Sequence, residues 1–209
     1  SRLVGRGAVE ADLPTPCLAC CGATEASTLI RRGLRYRHCP RCHSSVLARL
    51  PTAAELQHFY ETVYQRHALR RAPEERAGLF TSLLERLEAF GTRRSSPARL
   101  LDMGCGNGRL LSLAGQRGWQ AVGTDLAWDA CDAARHADSV LAVQADSARL
   151  SVRDGSMAAV TLVNVVDQAW DPRAIVHEAY RVLSAGGMLV IRVPNAAFHR
   201  PWVRLLTSL

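Results

Sequence analysis

The stretch from Leu100 to Arg109, Leu-Leu-Asp-Met-Gly-Cys-Gly-Asn-Gly-Arg, constrains the fold more than any other part of this 209-residue chain. Leu100 to Met103 predict a short strand that runs into three glycines, and a helical pattern follows them. Glycines at such a turn let the backbone bend tightly and leave room for a ligand where a Cβ would stand. The N-terminus of the next helix offers free backbone N–H groups. This stretch therefore predicts a strand, a ligand-binding loop and a helix in succession.

Strands and helices are predicted to alternate from this point onward. Apolar runs predict strands over 99–103, 120–124, 140–144, 159–163 and 188–193, and helical patterns lie near 108–117, 127–137 and 172–183. The last helix begins at Asp171-Pro172, a cap followed by a proline, and we expect it to stop at Gly186-Gly187. Regular alternation of this kind predicts an α/β fold with a doubly wound, mostly parallel sheet.

Two helices are predicted ahead of the sheet. Thr52-Ala-Ala-Glu55 has the spacing of a capping box, in which each side chain binds a free backbone N–H of the other residue. A second helix is expected after Pro73. Its apolar stripe at helical spacing consists of Leu79, Phe80, Leu83, Leu84, Leu87 and Phe90.

Five of the seven cysteines lie within 26 residues of the N-terminal region, which indicates a metal site rather than a disulfide framework. The pairs Cys17-x2-Cys20 and Cys39-x2-Cys42 are separated by 18 residues, a spacing typical of a structural zinc site with four thiolates. An iron–sulfur centre is the alternative. The neighbouring Cys21, His38 and His43 could compete as ligands, and we interpret them as bystanders.

Composition narrows the class of protein. A hydrophobic fraction of 48% excludes a disordered chain. The N-terminus has no apolar signal core, and the charge-free run from 155 to 166 is too short to span a bilayer, so a cytoplasmic protein is expected.

The formal net charge is +7, and residues 1–98 hold 15 arginines against 9 acids. This basic half could attract nucleic acid or an acidic substrate, or it could be a solvated surface.

The loop follows the pattern D-x-G-x-G-x-G, formed by Asp102, Gly104, Gly106 and Gly108. This pattern departs from the dinucleotide fingerprint, whose third glycine comes one residue later. It resembles the cofactor loop of class I S-adenosylmethionine-dependent methyltransferases, in particular relatives of the ubiquinone-biosynthesis O-methyltransferase. The resemblance covers about residues 52–209. It implies a Rossmann-like methyltransferase fold, with Asp102 holding the methionyl ammonium and the glycine backbone beneath the cofactor.

Further positions agree with the same family. The resemblance implies that Asp125, at the end of the second strand, accepts the two ribose hydroxyls. It also implies that Asp146 and Ser147 contact the adenine, and that Leu126 and Val163 complete the cofactor site. Relatives usually carry Glu-His where this chain has Asp167-Gln168. This chain therefore has an acid at the first of these two positions but no histidine at the second.

Three domains are expected: a zinc-ribbon-like domain over 1–50, a helical linker or lid over 51–97, and the S-adenosylmethionine-binding domain over 98–209. The family normally adds two strands after the fifth. Because this chain stops about 16 residues beyond that strand, we expect a sheet that lacks its C-terminal strands.

The expected function is methyl transfer to an oxygen of a small molecule or of a glycan or secondary-metabolite precursor. Asp167 and His199 are the candidate general bases. No Asn-Pro-Pro-Tyr follows strand four, and no cysteine follows Cys131, which argues against amino-group and cytosine-C5 methyltransferases. Two alternatives stay open: an RNA methyltransferase that grips nucleic acid with the basic ribbon, and a non-catalytic, truncated cofactor-binding module.

Overall fold

The computed structural model describes residues 16–31, 34–49, 51–52, 55, 74–91, 98–138 and 140–194. The chain divides into two compact units, Ser1–Leu56 with Trp170–Arg173, and Gln57–Ala169 with Ala174–Leu209. The predicted three-part division remains a prediction. The predicted helix beyond Glu55, the loop over 92–97 and His199 lie outside the described residues.

The first unit contains a small antiparallel sheet, here called the ribbon together with its two cysteine turns (residues 16–31 and 34–49). Its strands are β1 (Glu25–Arg31), β2 (Leu34–His38) and β3 (Ser45–Leu47), in the order β1-β2-β3. Arg37 on β2 donates from Nε to Thr24 Oγ1 at 2.8 Å. The buried apolar residues described in the ribbon are few and small: Cys17, Cys39, Val46 and Ala48.

The second unit, the sheet domain, is built on five parallel strands in the order β6-β5-β4-β7-β8. They are β4 (Arg99–Met103), β5 (Gln120–Asp125), β6 (Leu141–Gln144), β7 (Met157–Val163) and β8 (Leu183–Arg192). The chain order reverses between β4 and β7, the point at which open parallel sheets bind ligands at the carboxyl ends of their strands. The predicted doubly wound sheet is confirmed.

Four helices belong to the described part of this domain: α1 (Glu74–Ala89), α2 (Arg109–Gln116), α3 (Trp128–Asp138) and α4 (Pro172–Val182). One apolar cluster joins α1, α2 and α3 to the sheet, with Leu84, Leu87 and Leu100 fully buried. The other joins α4 to the sheet through Leu101, Leu162 and Val182. Successive residues of the central strands belong to opposite clusters, Leu100 and Leu101 on β4 and Ala159 and Val160 on β7, as in a sheet covered on both faces.

Local details confirm one prediction and correct two others. The capping box is present: Thr52 N donates to Glu55 Oε2 at 2.7 Å, and Glu55 N donates to Thr52 Oγ1 at 3.2 Å. Gly186-Gly187 does not end α4, which stops at Val182; the two glycines lie in an irregular stretch of β8 between its pairings at Leu183 and Met188. On α1 the apolar stripe is narrower than predicted, because Leu79 is exposed and Phe90, also exposed, lies beyond the end of the helix at Ala89.

No helix in the described ranges is both long enough and apolar enough to cross a membrane.

Candidate active site and metal centre

The three glycines after β4 all have positive φ, and they serve two different purposes. A Cβ on Gly104 would come within 2.3 Å of Val165 Cγ2, and one on Gly108 within 2.8 Å of Ala134 Cβ, so these two positions allow close packing of the chain. A Cβ on Gly106 would meet nothing within 4 Å. Gly106 therefore leaves open space over the loop, as a ligand cradle requires.

Asp125 ends β5 and is buried against the glycine loop (Gly104–Gly108). Its Oδ2 accepts from Gly106 N at 2.9 Å, and its Oδ1 accepts from Ala127 N at 2.9 Å. Burial raises the pKa of this carboxyl group, while the N–H donors of Ala127 and Gly106 lower it. A carboxylate has about four lone-pair sites, so each oxygen keeps one for a ligand. Asp125 also braces the loop, a role that the sequence did not suggest.

Asp102 lies in β4 one residue before the strand ends, and it is only 4% exposed. Thr161 on the neighbouring β7 donates from Oγ1 to Asp102 Oδ1 at 2.6 Å. Burial raises the pKa of Asp102, the Thr161 hydrogen bond lowers it and the charge of Asp125 raises it, with a net pKa of about 7. A buried carboxylate next to another carboxylate is favourable only where a cation compensates it.

The other predicted cofactor residues lie at the same edge of the sheet. Asp146 follows β6 and caps its own turn, since Ala148 N donates to Asp146 Oδ1 at 2.9 Å; Ser147 beside it is buried. Leu126 is 45% exposed directly after Asp125. Val163 is the last residue of β7 and half-buried. The structure thus brings the predicted set to the carboxyl ends of β4, β5, β6 and β7, while their roles stay predictions.

The loop after β7 carries Asp167, one of the two candidate bases. Partial burial raises the pKa of Asp167, and the positive charge of Arg192 lowers it. The loop opens with Asn164 in a left-handed conformation at φ 58°, which is uncommon for a residue other than glycine. Gln168 N donates to Val165 O at 3.0 Å and closes the turn.

The four predicted metal ligands converge in the ribbon. The Sγ atoms of Cys17, Cys20, Cys39 and Cys42 all lie within 4.8 Å of one another. Two Sγ pairs, Cys17 with Cys42 and Cys20 with Cys39, are 3.5 Å apart. Zinc–sulfur bonds of about 2.3 Å in a tetrahedron place sulfurs about 3.8 Å apart, so the donor set fits one ion.

The two cysteine turns have the same backbone geometry. Cys17 N donates to Gly22 O and Cys21 N to Cys17 O, and the same bonds run from Cys39 N to Ser44 O and from His43 N to Cys39 O. Cys21 and His43 occupy the equivalent left-handed position, with φ of 56° and 59°. Both are exposed turn residues outside the thiol cluster, in line with their interpretation as bystanders.

Hydrogen bonds from Ser44 favour the thiolate at one of these ligands. The side chain and the backbone N–H of Ser44 lower the pKa of Cys42 to about 6. The Cys42 Sγ and Ser44 Oγ atoms are 3.3 Å apart. Because metals bind the deprotonated thiol, this environment prepares Cys42 as a ligand.

A cavity of about 770 Å³ opens elsewhere on the sheet domain. Its lining includes Arg99, Gln120 and Leu141, the first residues of β4, β5 and β6. It therefore lies toward the amino ends of these strands, away from the edge where parallel sheets of this kind bind ligands.

Three residues of the site were missed by sequence reasoning. Thr161 binds Asp102 across two strands, and Arg192 binds the loop that carries Asp167. Arg109, the first residue of α2, has a buried Nε with no hydrogen-bond partner in the described part of the chain. Only the position of Arg109 directly after the last loop glycine was visible in the sequence.

Comparison with known proteins agrees with this geometry. Residues 101–191 match the family model described as "Methyltransferase domain". The ubiquinone biosynthesis O-methyltransferase of Xanthomonas oryzae pv. oryzae (strain PXO99A) is 36% identical over 104 residues, which cover 47% of this chain and 44% of the relative. The enzyme of the same name from Xanthomonas campestris pv. campestris (strain B100) is 34% identical over 117 residues, 53% of this chain and 49% of the relative.

The chain thus spans about half the length of the curated relatives it matches. Among solved structures, the PH0226 protein of Pyrococcus horikoshii OT3 superimposes with a TM-score of 0.50 at 23% identity, covering 60% of this chain and 63% of that one. This likeness concerns the fold alone. Residues 101–191 therefore match a methyltransferase domain, and the sheet around them has a Rossmann-like fold.

Proposed function

We propose that the protein transfers a methyl group from S-adenosylmethionine to an oxygen of a small molecule, or of a glycan or secondary-metabolite precursor. The observation that carries the proposal is the pair of buried carboxylates, Asp102 and Asp125, on either side of an open glycine loop at the switch point of the sheet. The curated relatives named O-methyltransferases support oxygen as the acceptor atom.

Three observations support the fit of the cofactor. The space above Gly106 would admit a ligand against the backbone. Asp102 is a buried carboxylate that an ammonium group would compensate. Arg109 has a buried N–H that a carboxylate could satisfy. An amino acid moiety carries both of these charged groups.

The cofactor supplies an activated methyl group, and the chain's own residues would bind and orient it. Asp102 would hold the ammonium, and Asp125 would accept the ribose hydroxyls on its free lone pairs. Asp146 and Ser147 would contact the adenine, with Leu126 and Val163 completing the apolar walls.

On the acceptor side, Asp167 would take the proton of the attacking hydroxyl. Its position in the loop after β7 and the raised pKa of its carboxyl group suit a general base.

We also propose that Cys17, Cys20, Cys39 and Cys42 hold one structural zinc ion. The support is the convergence of their four Sγ atoms and the small size of the buried apolar residues in the part of the ribbon whose burial is described. Such a site needs reduced thiols, which favours a cytoplasmic location.

Titration of the protein with S-adenosylhomocysteine in a calorimeter tests the proposed activity class. Wild type and the control Asp129→Asn, which changes an exposed acid on α3, should bind equally well. Asp125→Ala should bind at least tenfold more weakly, because charge-assisted hydrogen bonds to the ribose are worth about 1.5–3 kcal/mol each. Asp125→Asn keeps part of the acceptor capacity and should lose less.

Absence of binding by wild type would contradict a cofactor-binding site and hence the proposed activity. Binding without methyl transfer to any hydroxyl acceptor would favour the non-catalytic module instead. Because Asp125 also braces the glycine loop, each variant is melted without ligand and titrated well below its own transition temperature.

A further inference from the structure

Arg192 stands at the carboxyl end of β8, next to the last residue of β7. In the parallel register it pairs with Val163, so the loop from Asn164 to Gln168 begins directly beside it. Asn164 N donates to Arg192 O at 2.8 Å, and the Arg192 guanidinium donates from Nη1 to Asn164 Oδ1. The guanidinium therefore lies against the loop that carries Asp167.

The charge of Arg192 acts on Asp167 of the adjoining loop, but the two side chains form no ion pair within 4.0 Å. Among the described residues, its guanidinium makes one hydrogen bond, to the uncharged amide of Asn164, and no ion pair within 4.0 Å. Two other half-buried arginines of the sheet domain are paired: Arg117 binds Glu88 at 2.7 Å, and Arg181 binds Glu178 at 2.6 Å. A guanidinium has five N–H donors in a planar fork, so most of the donors of Arg192 are left for another partner.

The backbone next to Arg192 has an uncommon conformation as well, at Asn164. Asn164 takes up a left-handed conformation at the point where β7 ends, and such residues cluster at functional sites. The bonds from Arg192 hold that conformation and keep the guanidinium at the carboxyl edge of the sheet. In open parallel sheets this edge is the ligand-binding edge.

We propose that Arg192 recognises an anionic group, a carboxylate or a phosphate, on the methyl acceptor. A planar guanidinium binds either group through two parallel hydrogen bonds, which fixes orientation as well as adding affinity. An acceptor held in this way would keep its hydroxyl group near Asp167 on the adjoining loop. This inference rests on the proposed methyltransferase function and adds the substrate class, a hydroxylated acid or a phosphorylated hydroxyl compound.

A purely structural role for Arg192 makes a different prediction. If the side chain only braced Asn164, its removal would weaken every acceptor alike, charged or neutral. Recognition of an anion predicts a loss confined to charged acceptors.

The test uses the full chain saturated with S-adenosylhomocysteine and three probes measured by calorimetry: 3,4-dihydroxybenzoate, phenyl phosphate and the neutral 3,4-dihydroxybenzamide. The variants are Arg192→Gln and Arg192→Lys. The control is Arg153→Gln, which removes an exposed arginine ahead of the amino end of β7. Saturation with S-adenosylhomocysteine is verified first for each protein, which separates a failure of the proposed function from a failure of this inference.

Wild type and Arg153→Gln should bind at least one anionic probe about tenfold or more tightly than the benzamide. Arg192→Gln should lose that preference while its affinity for the benzamide changes less than about threefold, and Arg192→Lys should keep part of it. Comparison of the affinities for 3,4-dihydroxybenzoate and phenyl phosphate shows which anion is preferred. Equal affinity of wild type for charged and neutral probes, no binding of either anion, or an equal loss for all probes in Arg192→Gln would overturn the proposal.

Discussion

The ribbon and the sheet domain are stabilised by different means. The ribbon joins three short strands to two turns whose four thiols converge, and the buried apolar side chains described there are small. The sheet domain has two large apolar clusters, one on each face, with leucines that are fully buried. A segment as small as the ribbon rarely buries enough apolar surface to fold alone. The proposed zinc ion would therefore supply much of its folding free energy.

This difference predicts independent responses to perturbation. Loss of the metal ligands should affect the ribbon and leave the sheet domain folded. Loss of a core leucine should destabilise the sheet domain and leave the ribbon folded. The following predictions test that contrast in order of decreasing effect.

Cys39→Ser should release the metal and unfold the ribbon. A structural zinc ion contributes on the order of 10 kcal/mol to small domains of this kind, more than any other single group here. Elemental analysis should fall from one zinc per chain to near zero, and limited proteolysis should cut within residues 16–49 while the sheet domain resists.

Cys21→Ser is the matched control, because Cys21 is an exposed neighbour in the same turn and lies outside the thiol cluster. It should retain the metal. A ribbon that stays resistant to protease in metal-free Cys39→Ser would contradict the comparison.

Leu84→Ala should destabilise the sheet domain by about 2–5 kcal/mol, because Leu84 is fully buried between α1 and the sheet and its truncation leaves a cavity. Leu79→Ala on the same helix, where the side chain is 38% exposed, should cost much less. Thermal melts measure both, and zinc content should remain unchanged in both. A loss of zinc in Leu84→Ala would show that the two regions are coupled.

Asp102→Asn should stabilise the protein at alkaline pH and weaken cofactor binding. The pKa of Asp102 is raised to about 7 in the folded state. The folded protein is therefore more stable at low pH, where Asp102 is protonated, and this extra stability is lost as the pH rises through about 7. The melting temperature of the variant should exceed that of wild type by about 3 °C or more at pH 8.5, and by less at pH 5.

Binding of S-adenosylhomocysteine to Asp102→Asn should fall at pH 8.5, because the charge that would face the ammonium is gone. Asp129→Asn serves again as the exposed control. A melting difference that does not change with pH would mean that Asp102 is ionised in the folded protein across this range.

Glu88→Gln should have the smallest effect and lower the free energy of unfolding by about 1 kcal/mol or less. Glu88 accepts from Arg117 Nε at 3.0 Å and from Arg117 Nη2 at 2.7 Å, but both side chains are partly exposed, and ion pairs of this kind contribute little. Urea unfolding with and without 1 M salt measures the contribution. A loss of several kcal/mol would show that this contact between α1 and the turn after α2 matters as much as the core.

Much of the fold could be predicted because its signals are local. The predicted strand over 99–103 is β4 itself, and the other sheet strands differ by a few residues at their ends. The exception was β8, where two glycines suggested a helix stop although the strand already begins at Leu183. A glycine pair is compatible with a bulged strand as well as with a helix end, and only pairing with β7 decides between them.

The sequence by itself determined which side chains are candidates for chemistry: the four cysteines by their spacing, and Asp102, Asp125 and Asp146 by the resemblance to a known cofactor site. The tertiary structure alone decided what surrounds them. Thr161 reaches Asp102 from a strand 59 residues away in the chain, Asp125 binds the loop N–H of Gly106, and Arg192 donates to Asn164 at the edge of the sheet. The physical reason is that hydrogen bonds, burial and charge compensation depend on neighbours that are distant in the chain, while spacing and periodicity are properties of the chain itself.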